Sequence, residues 1–457
     1  MAPGGHGVAG RDRHRVRGLD GSAALCEPLA QSRRGRPLMR LSVRTPVDRL
    51  RAICMALPGT TEKISHGEPT WHAGGRMFAQ LDDHHHGADR LAVWLAAGLG
   101  DQEAPVKSDP RRVRARHGEA PTREASMKTI DIHAHLVPRG LWQAAAAKRE
   151  WHGFRHEPDE GLGTFTGGGK KTAFSSPKVR FSPEERLKDM DAQGVDVQVV
   201  SIHTPFFGYH LDGAEGRALA RDVNDEIAGL TKQWPARFAG LATLPMQDVK
   251  LAIEELERAV TQLGLKGAEL DTHVAGAQWD DPKFLPFFKA AEAMGAVLFY
   301  HPQPQHNFLH DRIAKYGLFN SIGVILDDAI VVAILIAGGV LEACPDLKVC
   351  IAHGGGPACY AMGRMDRGWQ GRRDAQKIPQ PPSAYQRRLY YDTVVGSEKA
   401  LRFLIDEVGA DRVVLGSDWP FVPWHPSPVT WVQGLASLTQ DEKEKILWRN
   451  LEALLKL

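Results

Sequence analysis

From residue 127 onward the hydrophobic and polar positions switch between two periods. Short apolar, β-branched runs recur at 130–132, 195–201, 238–244, 267–270, 297–300, 348–351, 389–391 and 412–415. Runs of that length and composition read as strands buried on both faces. Most are separated by stretches of helical period. Val249 to Leu263 sets Ile253, Leu256, Val260 and Leu263 on one stripe. Ser182-Pro183-Glu184-Glu185 is a capping box with proline at the first helical position. Thr439 and Glu442 form another, opening a last helix that runs to about Leu455. Eight strands separated by helices predict an α/β fold, a (β/α)8 TIM-type barrel spanning 127–457.

A doubly wound open sheet is the competing architecture, and it wants a glycine fingerprint after its first strand. The chain has His133-Ala134-His135 there instead. The Gly-rich segment 161–171 carries Thr164 and Lys171 where a phosphate loop needs Gly and Ser/Thr. It is expected to be a mobile flap over the barrel mouth.

The first 126 residues have a different texture. Residues 1–42 are rich in Gly and Arg and lack periodicity. They read as a disordered extension or a start assigned too early, with an organellar transit peptide as the alternative. Residues 43–112 contain a helical spacing at Leu50, Ile53 and Leu57, then strand-like pieces at 69–71, 76–81 and 91–95. Through Ala56–Glu62, His66–Pro69 and Gly75–Phe78 this segment resembles the first part of the MmcQ/YjbR-like small α+β domains. A basic, Pro/Ala-rich linker at 113–126 then leads to Met127, which suggests a gene fusion or a joined reading frame. The run His84-His85-His86 reads as a solvated loop.

Bulk composition narrows the function classes. The 457 residues are 43% hydrophobic and 25% charged, with a net charge of +2. That balance argues against nucleic-acid binding. Five cysteines without a CxxC motif fit buried thiols in a reducing compartment. The longest apolar stretch, Ala329 to Leu341, contains Gly338 and Gly339 and reads as a buried helix rather than a membrane span. A soluble, cytoplasmic protein without membrane contact is expected.

The chemistry sits at strand ends. His133 and His135 are two residues apart on an extended chain, so both imidazoles face one side. Alone, such a pair is more often an ordinary polar strand end. In a barrel of this type, however, working residues occupy the C-terminal ends of strands. There the fifth run meets His301-Pro302, the sixth meets His353-Gly354-Gly355-Gly356, and the eighth meets Asp418. Each one singly is more often a hydrogen-bonded structural histidine or a helix cap. Jointly, four histidines and an aspartate point to a metal site, and three imidazoles with one carboxylate suit a single Zn²⁺. The strand-end list does not by itself separate ligand from base.

From Met127 to its C-terminus the chain resembles the amidohydrolase-related family of metal-dependent decarboxylases, in particular its aminocarboxymuconate-semialdehyde decarboxylase branch. The matching pieces are Ile130–His135, Arg186–Asp191, Gly240–Met246, Gly267–His273, His301-Pro302, Leu347–Gly356 and Gly416–Phe421. The resemblance implies that His133, His135, His301 and Asp418 ligate the metal and that His353 is the catalytic base, with Asp418 also in the catalytic set. It implies a carboxy-lyase removing CO₂ from a small unsaturated or aromatic carboxylic acid, working as a homodimer. A hydrolase or hydratase acting on a lactone, amide or enol acid is the alternative on the same site. Dinuclear hydrolases of this superfamily carry a modified Lys at the end of strand four. Here that end reads Glu269-Leu270-Asp271-Thr272-His273, with Lys266 at the strand's start, which favours one metal. Two departures bear on the substrate. Gln303 stands where the branch has Trp, and the expected flap Arg is missing near Ala173. Lys170, Lys171 or Arg180 are expected to take over carboxylate recognition, with Gln303 and Trp419 also facing substrate. A DNA-binding module, suggested by the N-terminal resemblance, is the reading from another class.

Overall fold

The computed structural model describes residues 51, 54–55, 60–65, 68–73, 76–83, 91–95, 128–304, 309–372, 377–421 and 427–457. The expectations for residues 1–42, the linker and His84–His86 lie outside them. The chain divides into two units, residues 1–96 and 97–457.

In the first unit, β1 (Thr60–Ser65), β2 (Glu68–Ala73), β3 (Arg76–Asp83) and β4 (Leu91–Leu95) form an antiparallel meander in that order. Three of these strands match the apolar pieces of the sequence. The strand β1 does not, because Ile64 is its only aliphatic hydrophobic residue; pairing with β2 recruits it. Trp71 is fully buried, and its indole N–H donates to Glu62, which also accepts from Arg51.

The second unit is the barrel. Its strands are β5 (Ile130–Leu136), β9 (Val197–Ile202), β10 (Phe238–Gly240), β11 (Gly267–Leu270), β12 (Val297–Tyr300), β13 (Lys348–Ile351), β14 (Tyr390–Asp392) and β15 (Val413–Val414). All run parallel, in two arcs ordered β10-β9-β5 and β11-β12-β13-β14-β15. A bridge from Ala242 to Ala268 joins the arcs on one side, and a bridge from Ala134 to Trp419 joins them on the other. Ile132 N–H donates to Leu415 O at 3.0 Å and His135 N–H to Trp419 O at 2.7 Å across the second seam. Closure leaves no open sheet edge.

Each strand presents apolar residues to both faces, which is why the sequence runs are continuous. Ile130, Ile132, Val197, Val199, Val297, Phe299 and Cys350 form an inner cluster, onto which Leu451 and Leu454 of the C-terminal helix pack. The alternate residues, such as Val200, Leu298 and Val349, join the outer core with the helices. Both capping boxes form, at Ser182/Glu185 and Thr439/Glu442. The last helix continues to Leu455 through a π turn at Lys445–Arg449.

The segment Phe319–Ala337 is a 19-residue helix of mean hydropathy 2.1, long and apolar enough to cross a membrane. Here Val331, Val332, Leu335 and Ile336 are fully buried within the outer core, as expected of a packing helix. Cys54, Cys344, Cys350 and Cys359 are buried free thiols.

The segment expected to form a flap has regular structure. Arg155–Glu157 (β6), Thr164–Gly167 (β7) and Lys170–Ala173 (β8) form a three-stranded antiparallel sheet. Gly168 and Gly169, at φ +55° and +74°, make its two-residue hairpin turn. The glycines that look like a loose loop in the sequence are the turn of a hairpin. Phe165 anchors it, buried against Trp142 and Phe206.

Candidate metal centre and active site

The strand ends bring together four of the residues that the sequence singles out. His133, His135, His301 and Asp418 are all buried, and one donor atom from each lies within 4.8 Å of the others. His133 Nε2 is 3.2 Å from His135 Nε2. Asp418 Oδ1 lies 3.3 Å and 3.2 Å from those two nitrogens. The pairing of β5 with β9 shifts register between Asp131 and Ala134, just where His133 must turn inward. Asp131 holds this bend: it accepts from the backbone N–H of His133 and from both the N–H and the hydroxyl of Ser417.

The other nitrogen of each ligand-type histidine is already committed. His133 Nδ1 donates to Asp392 at 2.6 Å, His135 Nδ1 faces Ile202 O at 3.3 Å, and His301 Nδ1 faces Pro302 O at 2.9 Å. An acceptor at Nδ1 places the proton there and leaves Nε2 as a bare lone pair. With the rings neutral, three Nε2 lone pairs and a carboxylate converge in a buried pocket, and a cation between them, a proton or a metal ion, relieves their repulsion. His301 Nε2 is buried with no hydrogen-bond partner. Burial and the neighbouring imidazoles hold His301 far below its ordinary pKa. Burial disfavours charge on His133 as well, yet Asp418 and Asp392 outweigh it and raise that histidine well above its usual value. Burial likewise opposes ionisation of Asp418, and the contacts with His133 and His135 overcome it and lower the group well below the carboxylate range. The donor set fits a divalent cation.

His353 stands beside the cluster, its ring centre 4.8 Å from that of His301 and 5.3 Å from that of His133. Its Nδ1 is 2.9 Å from Asp328 Oδ2. Burial pushes Asp328 up to about 7, against the pull of His353. Burial disfavours the imidazolium, but Asp328 outweighs it and raises His353. His353 and Asp418 are non-glycine residues at positive φ, +49° and +58°. Strain of this kind persists where surrounding structure over-determines the backbone. Gly356 explains the glycine run after His353: a Cβ there would lie 1.9 Å from Ile325 O.

The sequence candidates for substrate contact separate into two groups. Lys170 and Gln303 line a small cavity of about 30 Å³ with Thr172, Tyr209 and His210. Arg180 and Trp419 line a larger one of about 190 Å³. Lys171 lies on the exposed face of the hairpin, paired with Glu157 at 2.9 Å.

Sequence reasoning overlooked the residues that orient the cluster. Asp392 ends β14 and meets the same strand-end criterion that found Asp418. Glu269, fully buried in β11, lies 3.7 Å from His135 Nδ1, and burial raises it well above a normal carboxylate. Asp328 left a weaker signal, a carboxylate at the head of the apolar stretch starting at Ala329.

Residues 130–457 match the family described as Amidohydrolase. The chain belongs to that family, and its relatives define its class as a carboxy-lyase, an enzyme that breaks a carbon–carbon bond to release CO₂. The 2-amino-3-carboxymuconate-6-semialdehyde decarboxylase of Dictyostelium discoideum is 32% identical over 327 residues, covering 70% of this chain and 89% of that protein. Gamma-resorcylate decarboxylase of a Polaromonas species is 29% identical over 289 residues, 60% of this chain and 87% of the relative. Among solved structures, 5-carboxyvanillate decarboxylase LigW from Sphingomonas paucimobilis superposes with a TM-score of 0.62 at 27% identity, covering 73% of this chain and 100% of that one.

Proposed function

We propose that the protein is a zinc-dependent, non-oxidative decarboxylase of a small unsaturated or aromatic carboxylic acid. The observation that carries this reading is the convergence of three imidazole nitrogens and Asp418 beside a histidine hydrogen-bonded to its own carboxylate. His133, His135, His301 and Asp418 are assigned as the metal ligands, and three nitrogens with one oxygen favour zinc. A divalent cation bound there supplies Lewis acidity in a water-poor site.

His353 is assigned the proton transfers. With Nδ1 hydrogen-bonded to Asp328, it takes up a proton from bulk solvent on Nε2, the one proton that exchange of CO₂ for hydrogen consumes, and the carboxylate balances the resulting imidazolium. It delivers that proton to the carbon whose bond to CO₂ breaks and which keeps the electron pair. Gln303 and Lys170, which share a cavity, are assigned to substrate recognition. The names of the relatives, acting on an aminocarboxymuconate semialdehyde, a resorcylate and a carboxyvanillate, support an unsaturated or aromatic carboxylate. The proposal extends to a cytoplasmic homodimer, checked by light scattering.

The test is elemental analysis of the purified full chain followed by CO₂ measurement over a panel of those three substrate types. About one zinc per chain and stoichiometric CO₂ are expected. Water uptake or ring opening without CO₂ would replace the lyase reading with the hydratase or hydrolase one.

A further inference from the structure

The larger cavity, about 190 Å³, is a separate place from the metal cluster. His135 touches it, but none of His133, His301, His353 or Asp418 lines it. Four basic side chains line it, Arg139, Lys178, Arg180 and Arg186, against the single carboxylate Glu226. Two of the four are neutralised within the protein. Arg139 pairs with Glu226 at 3.1 Å, and Lys178 pairs with Asp189 at 2.9 Å. Arg180 and Arg186 make no ion pair with any described carboxylate.

Arg186 is the more telling of the two. It is only 3% exposed, and its guanidinium donates to uncharged acceptors, Gln198 Oε1 at 2.8 Å and His135 O at 2.9 Å. Nη2 has no partner at all. Asp131 and Asp189 act on the guanidinium from beyond ion-pair distance, and Nη2 is left as a free donor that an anion in the cavity can engage. Arg180 adds a second guanidinium, set 4.2 Å over the Trp142 ring.

The remaining walls are aromatic. Trp142, Phe181, Trp234 and Trp419 line the same cavity, and Arg186 stacks 4.1 Å over Trp419. Apolar walls with a few convergent charged groups are the make-up of a small-molecule site, and this volume, below the roughly 300–1,000 Å³ of sites for drug-sized ligands, limits the occupant to a single small ring. We propose that this cavity is a binding site for a small aromatic carboxylate, distinct from the metal centre, with Arg180 and Arg186 attracting the carboxylate and the indole and phenyl walls holding the ring. It does not depend on the reaction proposed above. A ligand here would sit one hydrogen bond from the main chain of His135.

The experiment is calorimetric titration of the metal-loaded full chain with benzoate, repeated for Arg180→Gln and for Lys250→Gln, an exposed lysine that lines neither cavity. Benzoate affinity is expected to fall about tenfold in Arg180→Gln, the loss of one charge-assisted contact, and to stay within twofold in Lys250→Gln. No benzoate binding to the wild-type chain, equal affinity in Arg180→Gln, or equal losses in both variants would each overturn the proposal. Inorganic phosphate is the comparison probe. Binding as tight as that of benzoate would overturn the role of the aromatic walls.

Discussion

Replacing Asp392 with Asn tests the tautomer logic of the metal centre more sharply than removing a ligand. Asp392 Oδ2 accepts from His133 Nδ1 at 2.6 Å, while Oδ1 accepts from the backbone N–H groups of Gly354 at 3.1 Å and Val394 at 3.0 Å. An asparagine of the same shape has only one acceptor oxygen. Turned toward the two backbone donors, it keeps two hydrogen bonds and points its NH₂ at His133 Nδ1. The ring proton must then move to Nε2, into the space shared with Asp418 and His135. Turned the other way, it preserves the tautomer but faces NH₂ toward two buried N–H groups, each costing about 1–3 kcal/mol. The first orientation is therefore favoured, and it disables His133 as a ligand.

Loss of a partner that orients a ligating histidine typically costs about 10–100-fold in metal affinity, roughly 1.4–2.7 kcal/mol. Competition between the apo protein and a fluorescent zinc chelator measures this directly, with circular dichroism confirming that Asp392→Asn is folded. A folded variant binding zinc within about twofold of wild type would refute the reasoning, since the favoured orientation cannot leave His133 as a ligand.

Four further outcomes are expected. His353→Ala should retain metal and lose activity by about 10²–10⁴-fold, the usual worth of a general acid–base group; full activity would remove His353 from the mechanism. Asp328→Asn should follow the same pattern through loss of the His353 anchor, retaining metal while CO₂ release slows, and a parallel loss of metal would place Asp328 elsewhere in the site's logic. Asp418→Ala should weaken metal binding and activity together, read by elemental analysis and by CO₂ release. Stripping the metal with a chelator should lower the melting temperature, because a ligand at 1,000 times its Kd stabilises the native state by about 4.1 kcal/mol. Added zinc should restore it, and an unchanged melting temperature would count against a bound cation in the folded state.

The barrel was largely readable because its signals are local. A parallel strand buried on both faces writes itself as a continuous apolar run, and all eight runs coincide with barrel strands. Where boundaries moved, a backbone contact outranked the side-chain pattern. The run 238–244 yields a strand ending at Gly240, after which Ala242 bridges to Ala268 to join the two arcs. The hairpin within the flap segment was not legible for a related reason. Three consecutive glycines carry no hydrophobic period, so a hairpin turn and a loose loop look alike until Phe165 finds its aromatic neighbours.

The sequence by itself determined which residues arrive at the rim: His133, His135, His301, His353 and Asp418 each terminate an apolar run, and closing the barrel sends every such end to one mouth. Tertiary structure alone decided what those residues can do. Proton positions are set by partners remote in the chain, Asp392 lying 259 residues from His133 and Asp328 lying 25 residues from His353. Nothing in local periodicity encodes such pairings. They exist because burial makes an unsatisfied imidazole nitrogen costly, and the fold supplies the Nδ1 of His133, His135, His301 and His353 each with a specific acceptor.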